Sequence, residues 1–186
     1  MMECFTLIEL LAIGMRMIDI IEPVSPAEVD NVRNLMRAFV EWARVRYVKE
    51  IEFVEQYFDR TAFEAELRSL PCNYSQPSGR LLLARYDGRA VGCVALRDLG
   101  SGFCEMKRLY VDQRSHGKGV GRALVLALID EAKSAGYSAM RLDTGPGQVE
   151  AQNLYQSAGF RIVQPYYEMP DKLRNWLVFM ELDLSN

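Results

Sequence analysis

Apolar positions recur along the chain at two different periods, and each change of period marks an element. Val29, Val32, Met36, Phe39 and Ala43 return at three- and four-residue spacing, as on one face of a helix. Just ahead of them, Ser25, Pro26 and Glu28 match an N-cap, a first-turn proline and a capping-box partner. A helix is therefore predicted from Pro26 to Tyr47, after a short strand in "MIDII". A second helix is predicted from about Asp59 to Leu70, and the loop "PCNYSQPSG" follows it. In "RLLLARYDGRAVGCVALRDL" two apolar runs meet at Asp87-Gly88, a strong hairpin signal. Phe103 to Val111 is the next strand. A glycine-rich turn then leads into a helix that runs to about Ala135 and stops at Gly136. "YSAMRLDT" reads as a strand, "GPGQVEAQNLYQSAG" as a turn and a helix ending at Gly159, and "FRIVQPYYE" and "WLVFMELDL" as closing strands. The order β-α-α-β-β-β-α-β-α-β-β implies an α/β chain in the α+β sense, a mixed sheet with helices packed on it.

Composition narrows the class. With 186 residues, 49% hydrophobic and 25% charged, the chain has the make-up of one soluble globular domain. A net charge of −3 argues against a general nucleic-acid binder, which needs a basic field to neutralise phosphates. The apolar run at the amino end breaks by Gly14, short of the roughly 20 residues that span a bilayer, so no membrane insertion is expected. Residues 1–16 read as an N-terminal extension from a start placed too early, and residues 17–186 as a single domain. The cysteines, Cys4, Cys72, Cys93 and Cys104, form no CxxC pair, and His116 is the sole histidine, so zinc-site spacing is absent and no metal is expected. Cys93 and Cys104 fall in strand-like runs, where a thiol acts as a small apolar side chain. This cysteine usage fits a reducing, cytoplasmic location.

The stretch "RSHGKGVGRALV" starts its helix poorly. Glycine costs roughly 1 kcal/mol against alanine inside a helix. Arg114, Lys118 and Arg122 also add positive charge where the macrodipole is already positive. An anion would offset both, because glycine lets backbone N–H groups approach a phosphate at a helix N-terminus. A Walker A loop is ruled out, since Gly117-Lys118 is followed by glycine rather than by a hydroxyl residue. The dinucleotide fingerprint fails too, because Gly117, Gly119 and Gly121 have the wrong spacing and follow a hairpin.

Arg114, Gly117 and Gly119 do match the acyl-CoA loop pattern [QR]-x-x-G-x-[GA]. With "EMKRLYV" before the loop and "NLYQSAGF" about 30 residues after it, nearly the whole chain resembles the GNAT superfamily of N-acetyltransferases. That resemblance implies a mostly antiparallel central sheet, splayed between its fourth and fifth strands, with helices on both faces. It implies acetyl-CoA as co-substrate. The backbone of His116, Gly117, Lys118, Gly119, Val120, Gly121 and Arg122 would hold the pyrophosphate, with the Arg114 and Lys118 side chains near it. Leu109, Tyr110 and Val111 would hydrogen-bond the pantetheine arm. Gln148 stands where the family often has asparagine and would make the polar contact of that position.

Acetyl transfer from a thioester to an amine needs a neutral amine, a held carbonyl and a leaving thiolate that can be protonated. Tyr155 matches the family's proton-donating tyrosine. Glu105 is the candidate base, with water as the alternative, and it would share a strand face with Lys107 and Leu109 provided no bulge intervenes. His116 has a suitable intrinsic pKa but sits inside the loop. Tyr166 and Tyr167, at the end of the penultimate strand, are expected near the acceptor, while Trp42 and Tyr47 on the first helix are either pocket wall or core. The resulting expectation is an acetyl-CoA dependent N-acetyltransferase acting by direct attack in a ternary complex. Its acceptor would be a small-molecule amine, or less readily a peptide or protein amine, with no nucleic-acid or membrane partner and with a homodimer left open. A non-catalytic acyl-CoA sensor and a nucleotide-binding protein are the competing readings.

Overall fold

In a computed structural model, which describes residues 17–185, seven strands form one sheet in the order β1-β2-β3-β4-β5-β7-β6. These are β1 (Ile18–Ile21), β2 (Arg80–Tyr86), β3 (Arg89–Gly100), β4 (Phe103–Val111), β5 (Ala139–Thr144), β6 (Arg161–Val163) and β7 (Val178–Asp183). All neighbours are antiparallel except β4 and β5, which run parallel. The helices are α1 (Pro26–Arg46), α2 (Ile51–Tyr57), α3 (Arg60–Ser69), α4 (Val120–Ser134), α5 (Val149–Ser157) and α6 (Asp171–Trp176). No helix among the described residues is long and apolar enough to cross a membrane. The proposed extension, residues 1–16 with Cys4, lies outside the described residues.

Local chemistry explains the element ends. The amide of Glu28 donates to Ser25 Oγ, and the Glu28 carboxylate accepts from the Ser25 amide, so the capping box at α1 is complete. Asp87 (φ 51°) and Gly88 (φ 76°) turn the β2–β3 hairpin in the left-handed region that this two-residue loop requires. Gly136, at φ 84°, lies just past the end of α4.

The alternation of side chains along the strands builds a core on each face. Leu82, Val94, Leu96, Cys104 and Met106 meet Leu124, Leu128 and Tyr155 on one face. Leu81, Leu83, Cys93 and Ala95 meet Val32, Met36, Val40 and Phe63 on the other. Cys93 and Cys104 are fully buried, and burial pushes each thiol up to about 12.

The structure corrects the sequence reading in three places. Helix α2 was not predicted: it lies between the two predicted helices, in a stretch to which no element was assigned. The penultimate strand is short. β6 ends at Val163, so Tyr166 and Tyr167 lie in the connection that follows it rather than on a strand. Pro165 and Pro170, which bracket this connection, cannot donate to a sheet ladder. The start of "WLVFMELDL" belongs to α6, which ends at Trp176, and only its later part is strand.

Candidate active site

The site begins where β4 leaves β5. The two strands pair only through Phe103 with Ala139, Cys104 with Met140, and Glu105 with Arg141, although both continue beyond. A bulge lies just past the last of these pairs. Lys107 pairs with Ala95 and Tyr110 with Cys93, so two residues of β4 stand opposite one of β3. Arg108 takes φ 59°, rare for a long side chain. Lys107 and Arg108 consequently both face the helices α1 to α3, while Leu109 and Val111 turn to the α4 face. Glu105 and Lys107 share a face as expected, but Leu109 does not, because the bulge inverts the alternation.

Beyond the bulge a cleft of about 650 Å³ opens between the strands. Leu109, Tyr110 and Val111 form one wall. Gln148, Ala151 and Leu154 form the other, with Phe39, Trp42 and Arg46 at the rim. Its floor is the glycine turn: His116, Gly117, Gly119, Val120, Gly121 and Arg122. Gly119, at φ 83°, is the N-cap residue of α4 and provides no side-chain cap. The first amide of α4 bonded to backbone is that of Ala123, on the Gly119 carbonyl at 3.0 Å. The amides of Val120, Gly121 and Arg122 therefore remain free for an acceptor in the cleft. His116 is held by a 2.9 Å hydrogen bond between Nε2 and the Val111 carbonyl. Arg114 and Lys118 are not brought to the cleft wall: Arg114 is paired with Asp112 and its side chain is 90% exposed, and Lys118 lies over the Tyr86 ring.

The cleft adjoins a cavity of about 60 Å³, with Phe39, Leu109 and Gln148 in the walls of both. Tyr155 and Tyr47 both line this inner space, as do Thr144 and Gly145 from the end of β5. Tyr155 is buried, its ring set against Phe160, and its hydroxyl has no hydrogen-bond partner among the described residues. Burial holds its phenol well above the ordinary value, so it is fully protonated at neutral pH. Gln148 is the residue before α5 and accepts from Thr144 Oγ1 at 3.1 Å.

Three carboxylates lie around Lys107 and Arg108, the Glu105 and Asp143 side chains buried and Glu66 partly so, and each is already engaged. Glu105 is fully buried, with Arg97 Nε donating at 2.5 Å, the Tyr166 hydroxyl at 2.8 Å, and Lys107 Nζ 3.9 Å away. Glu66 accepts from Arg108 and from the Tyr74 hydroxyl. Asp143 accepts from the Tyr57 hydroxyl (2.5 Å), the Tyr167 hydroxyl (3.0 Å) and Lys107 (3.3 Å). Burial works to raise the Asp143 carboxyl, but Lys107 and the two hydroxyls outweigh it and hold the group below its ordinary value. Tyr166 and Tyr167 thus spend their hydroxyls bracing carboxylates, and neither lines the cavities described. Asp143 and Tyr57 were missed by sequence reasoning. Asp143 was visible only as one polar residue in a strand, and Tyr57 sits on the unpredicted α2.

On the far side of Lys107 and Arg108 lies a third cavity, about 450 Å³, lined also by Asn73, Tyr74, Arg97 and Asp98. Lys107 and Arg108 therefore stand between this space and the inner one.

A model of the acetyltransferase (GNAT) family matches residues 36–160. The chain belongs to this family. An uncharacterized N-acetyltransferase of Schizosaccharomyces pombe is 43% identical over 122 residues, which cover 64% of this chain and 73% of that protein. An N-acetylaspartate synthetase of Danio rerio is 32% identical over 147 residues, 76% of this chain and 52% of that protein. A crystal structure of a GNAT-family acetyltransferase from Staphylococcus aureus superposes with a TM-score of 0.69 at 21% identity, covering 91% of this chain and all of that one, and so shares the fold. The GNAT chain described here is accordingly an acetyltransferase, with the mixed sheet and parted fourth and fifth strands that its sequence implied.

Proposed function

We propose that this acetyltransferase takes its acetyl group from acetyl-CoA and passes it to the amine of a small molecule. The observation that carries the reading is that the cleft adjoins the inner cavity, sharing Phe39, Leu109 and Gln148 with it. Free helix N-terminal amides at its outer end suit a pyrophosphate, and the unpaired edge of β4 along its length suits an extended arm. At its inner end is a small space beside the Tyr155 hydroxyl. Gly119 fits this use, since its φ of 83° is a backbone conformation that residues other than glycine rarely adopt.

Acetyl-CoA supplies an activated carbonyl. The amine nitrogen bonds to the acyl carbon, the C–S bond breaks, and its electron pair goes to sulfur. Tyr155, protonated and unpartnered, gives the thiolate its proton, and the surplus proton on nitrogen passes through water to restore Tyr155. Water is the better candidate for the base than Glu105, whose two oxygens already accept from Arg97 and Tyr166. Glu105 instead holds Tyr166 and Arg97 in place.

The cavity beyond Lys107 and Arg108 has the size of an ordinary small-molecule pocket, and a small acceptor held there reaches the inner space once those two side chains move aside. The relative named as an N-acetylaspartate synthetase, whose product is a small molecule, adds to this. The test is release of free thiol from acetyl-CoA with libraries of small amines and of peptides, repeated with Tyr155→Phe. Turnover with small amines, and a kcat about 10²-fold lower in Tyr155→Phe at similar acetyl-CoA affinity, are expected. Turnover confined to peptides would overturn the acceptor class. Binding of acetyl-CoA with no turnover at all would favour the sensor.

A further inference from the structure

The Tyr47 hydroxyl is completely enclosed and has no hydrogen-bond partner, the single completely enclosed side-chain polar atom of that kind among the described residues. The residue follows the last turn of α1, is 5% exposed, and packs its ring edge-on against Trp176 at 4.9 Å. Its hydroxyl lies against Gly145, where any Cβ would overlap it, and Gly147 also stays clear of the ring. The nearest acceptors, on Gln148 and Gly147, each already have one donor. Gln148 Oε1 accepts from Thr144, and the Gly147 carbonyl accepts from Arg46 at 2.7 Å.

Leaving a buried hydroxyl unpaired carries a desolvation cost that no hydrogen bond offsets. Phenylalanine would fill the same space without that cost, so the oxygen needs a partner in some other state of the protein. The nearest space for that partner is the inner cavity, whose wall includes Tyr47, Tyr155, Leu109 and Gln148; the hydroxyl itself is closed off there, so a ligand group meets it after a small shift of the ring or of Gly145. A cavity of about 60 Å³ suits a two-carbon acyl group and the atoms joined to it. Burial also raises the Tyr47 phenol above its ordinary value, which keeps it a donor at neutral pH. An attacking neutral amine has no acceptor role to offer such a donor, because its lone pair is committed to the acyl carbon. The leaving sulfur is assigned to Tyr155. What remains is the acyl oxygen, which gains negative charge as the amine attacks.

We propose that the Tyr47 hydroxyl donates a hydrogen bond to the acyl oxygen of the bound thioester, as a catalytic residue distinct from Tyr155. This inference rests on the reading of acetyl-CoA as donor. A pre-placed donor at developing charge is worth about 10²–10³ in kcat where it has been removed in other enzymes, and a weaker version of the bond already exists to the ground-state carbonyl.

The experiment is calorimetric titration of the parent and Tyr47→Phe with acetyl-CoA and with CoA, plus thermal unfolding of both proteins without ligand. In Tyr47→Phe, acetyl-CoA affinity should fall several-fold more than CoA affinity, and the unliganded Tm should hold or rise, since no hydrogen bond is lost. Equal changes for both ligands, or none, would overturn the proposal. So would a lowered unliganded Tm, which would make the hydroxyl a structural bond to Gln148 or Gly147. If the parent itself binds neither ligand, the donor reading fails, and this inference falls with it. Once an acceptor is in hand, kcat should drop at least tenfold with the acceptor KM little changed. A raised acceptor KM at constant kcat would instead assign Tyr47 to acceptor binding and contradict the proposal.

Discussion

At the scale of single residues, the site is held by side chains whose polar atoms are committed to one another. Lys107 is central. Its ammonium donates to Tyr57 (2.7 Å) and to Asp143, and it lies beside Glu105. Because Asp143 is held below its ordinary value, its charged form stabilises the fold above the unfolded carboxylate pKa of about 3.9. That contribution is lost as pH falls through the lower native value. Urea midpoints of the parent and Asp143→Asn should therefore differ most near neutral pH and converge towards pH 3, with the parent the more stable at pH 7. A gap that widens on acidification would reverse the sign and refute the assignment. The opposite condition holds for Tyr155 and Tyr47, whose hydroxyls lack partners among the described residues, and these two line the inner cavity.

At the scale of elements, the amino end of α1 shows how local sequence places distant chemistry. Helix α1 delivers Phe39 and Trp42 to the cleft and ends at Tyr47, so its start sets the register of all three. Ser25→Ala removes the cap and should cost about 1 kcal/mol, a fall in Tm of about 2–4 °C. An unchanged Tm would mean the cap is redundant. Glu28, the other half of the box, is held at about 2 by the Ser25 and Val24 amides, so its contribution survives mild acid and fades only as pH drops towards that value. This element was legible because capping residues and apolar spacing agree. The Phe103–Val111 strand was legible for a similar reason, being one uninterrupted run between turn signals. The bulge at Arg108 was not, because no glycine or proline marks it: the positive φ is imposed by tertiary contacts of the guanidinium with Glu66, Phe58 and Phe63. Tyr166 and Tyr167 were misplaced because their aromatic run looks like a strand. They are drawn off the sheet by the carboxylates they brace.

At the scale of the molecule, function follows from one topological event. Five of the six strand pairings are antiparallel, but the parallel β4–β5 contact lasts only three residue pairs before the bulge parts the strands. The gap places a row of free amides, an unpaired strand edge and two unpartnered phenols along one path. The glycine turn that seems a poor helix start is then well matched to a phosphate, and the sequence exposed this end of the site more clearly than the acceptor end. The loop is written in contiguous residues. The proposed acceptor end is assembled from α2, α3, β3, β4 and β5, whose meeting only the fold reveals.

The most direct test of this account is amide hydrogen exchange with acetyl-CoA at about 100 times its Kd. Ligand at that ratio stabilises the bound state by roughly 2.7 kcal/mol, so amides exposed only on ligand release should slow by about 100-fold. Protection is predicted in two separated segments, residues 109–111 and residues 116–122, with ATP at equal concentration giving none. Equal protection by ATP, or acetyl-CoA protection that misses the glycine turn, would contradict the account.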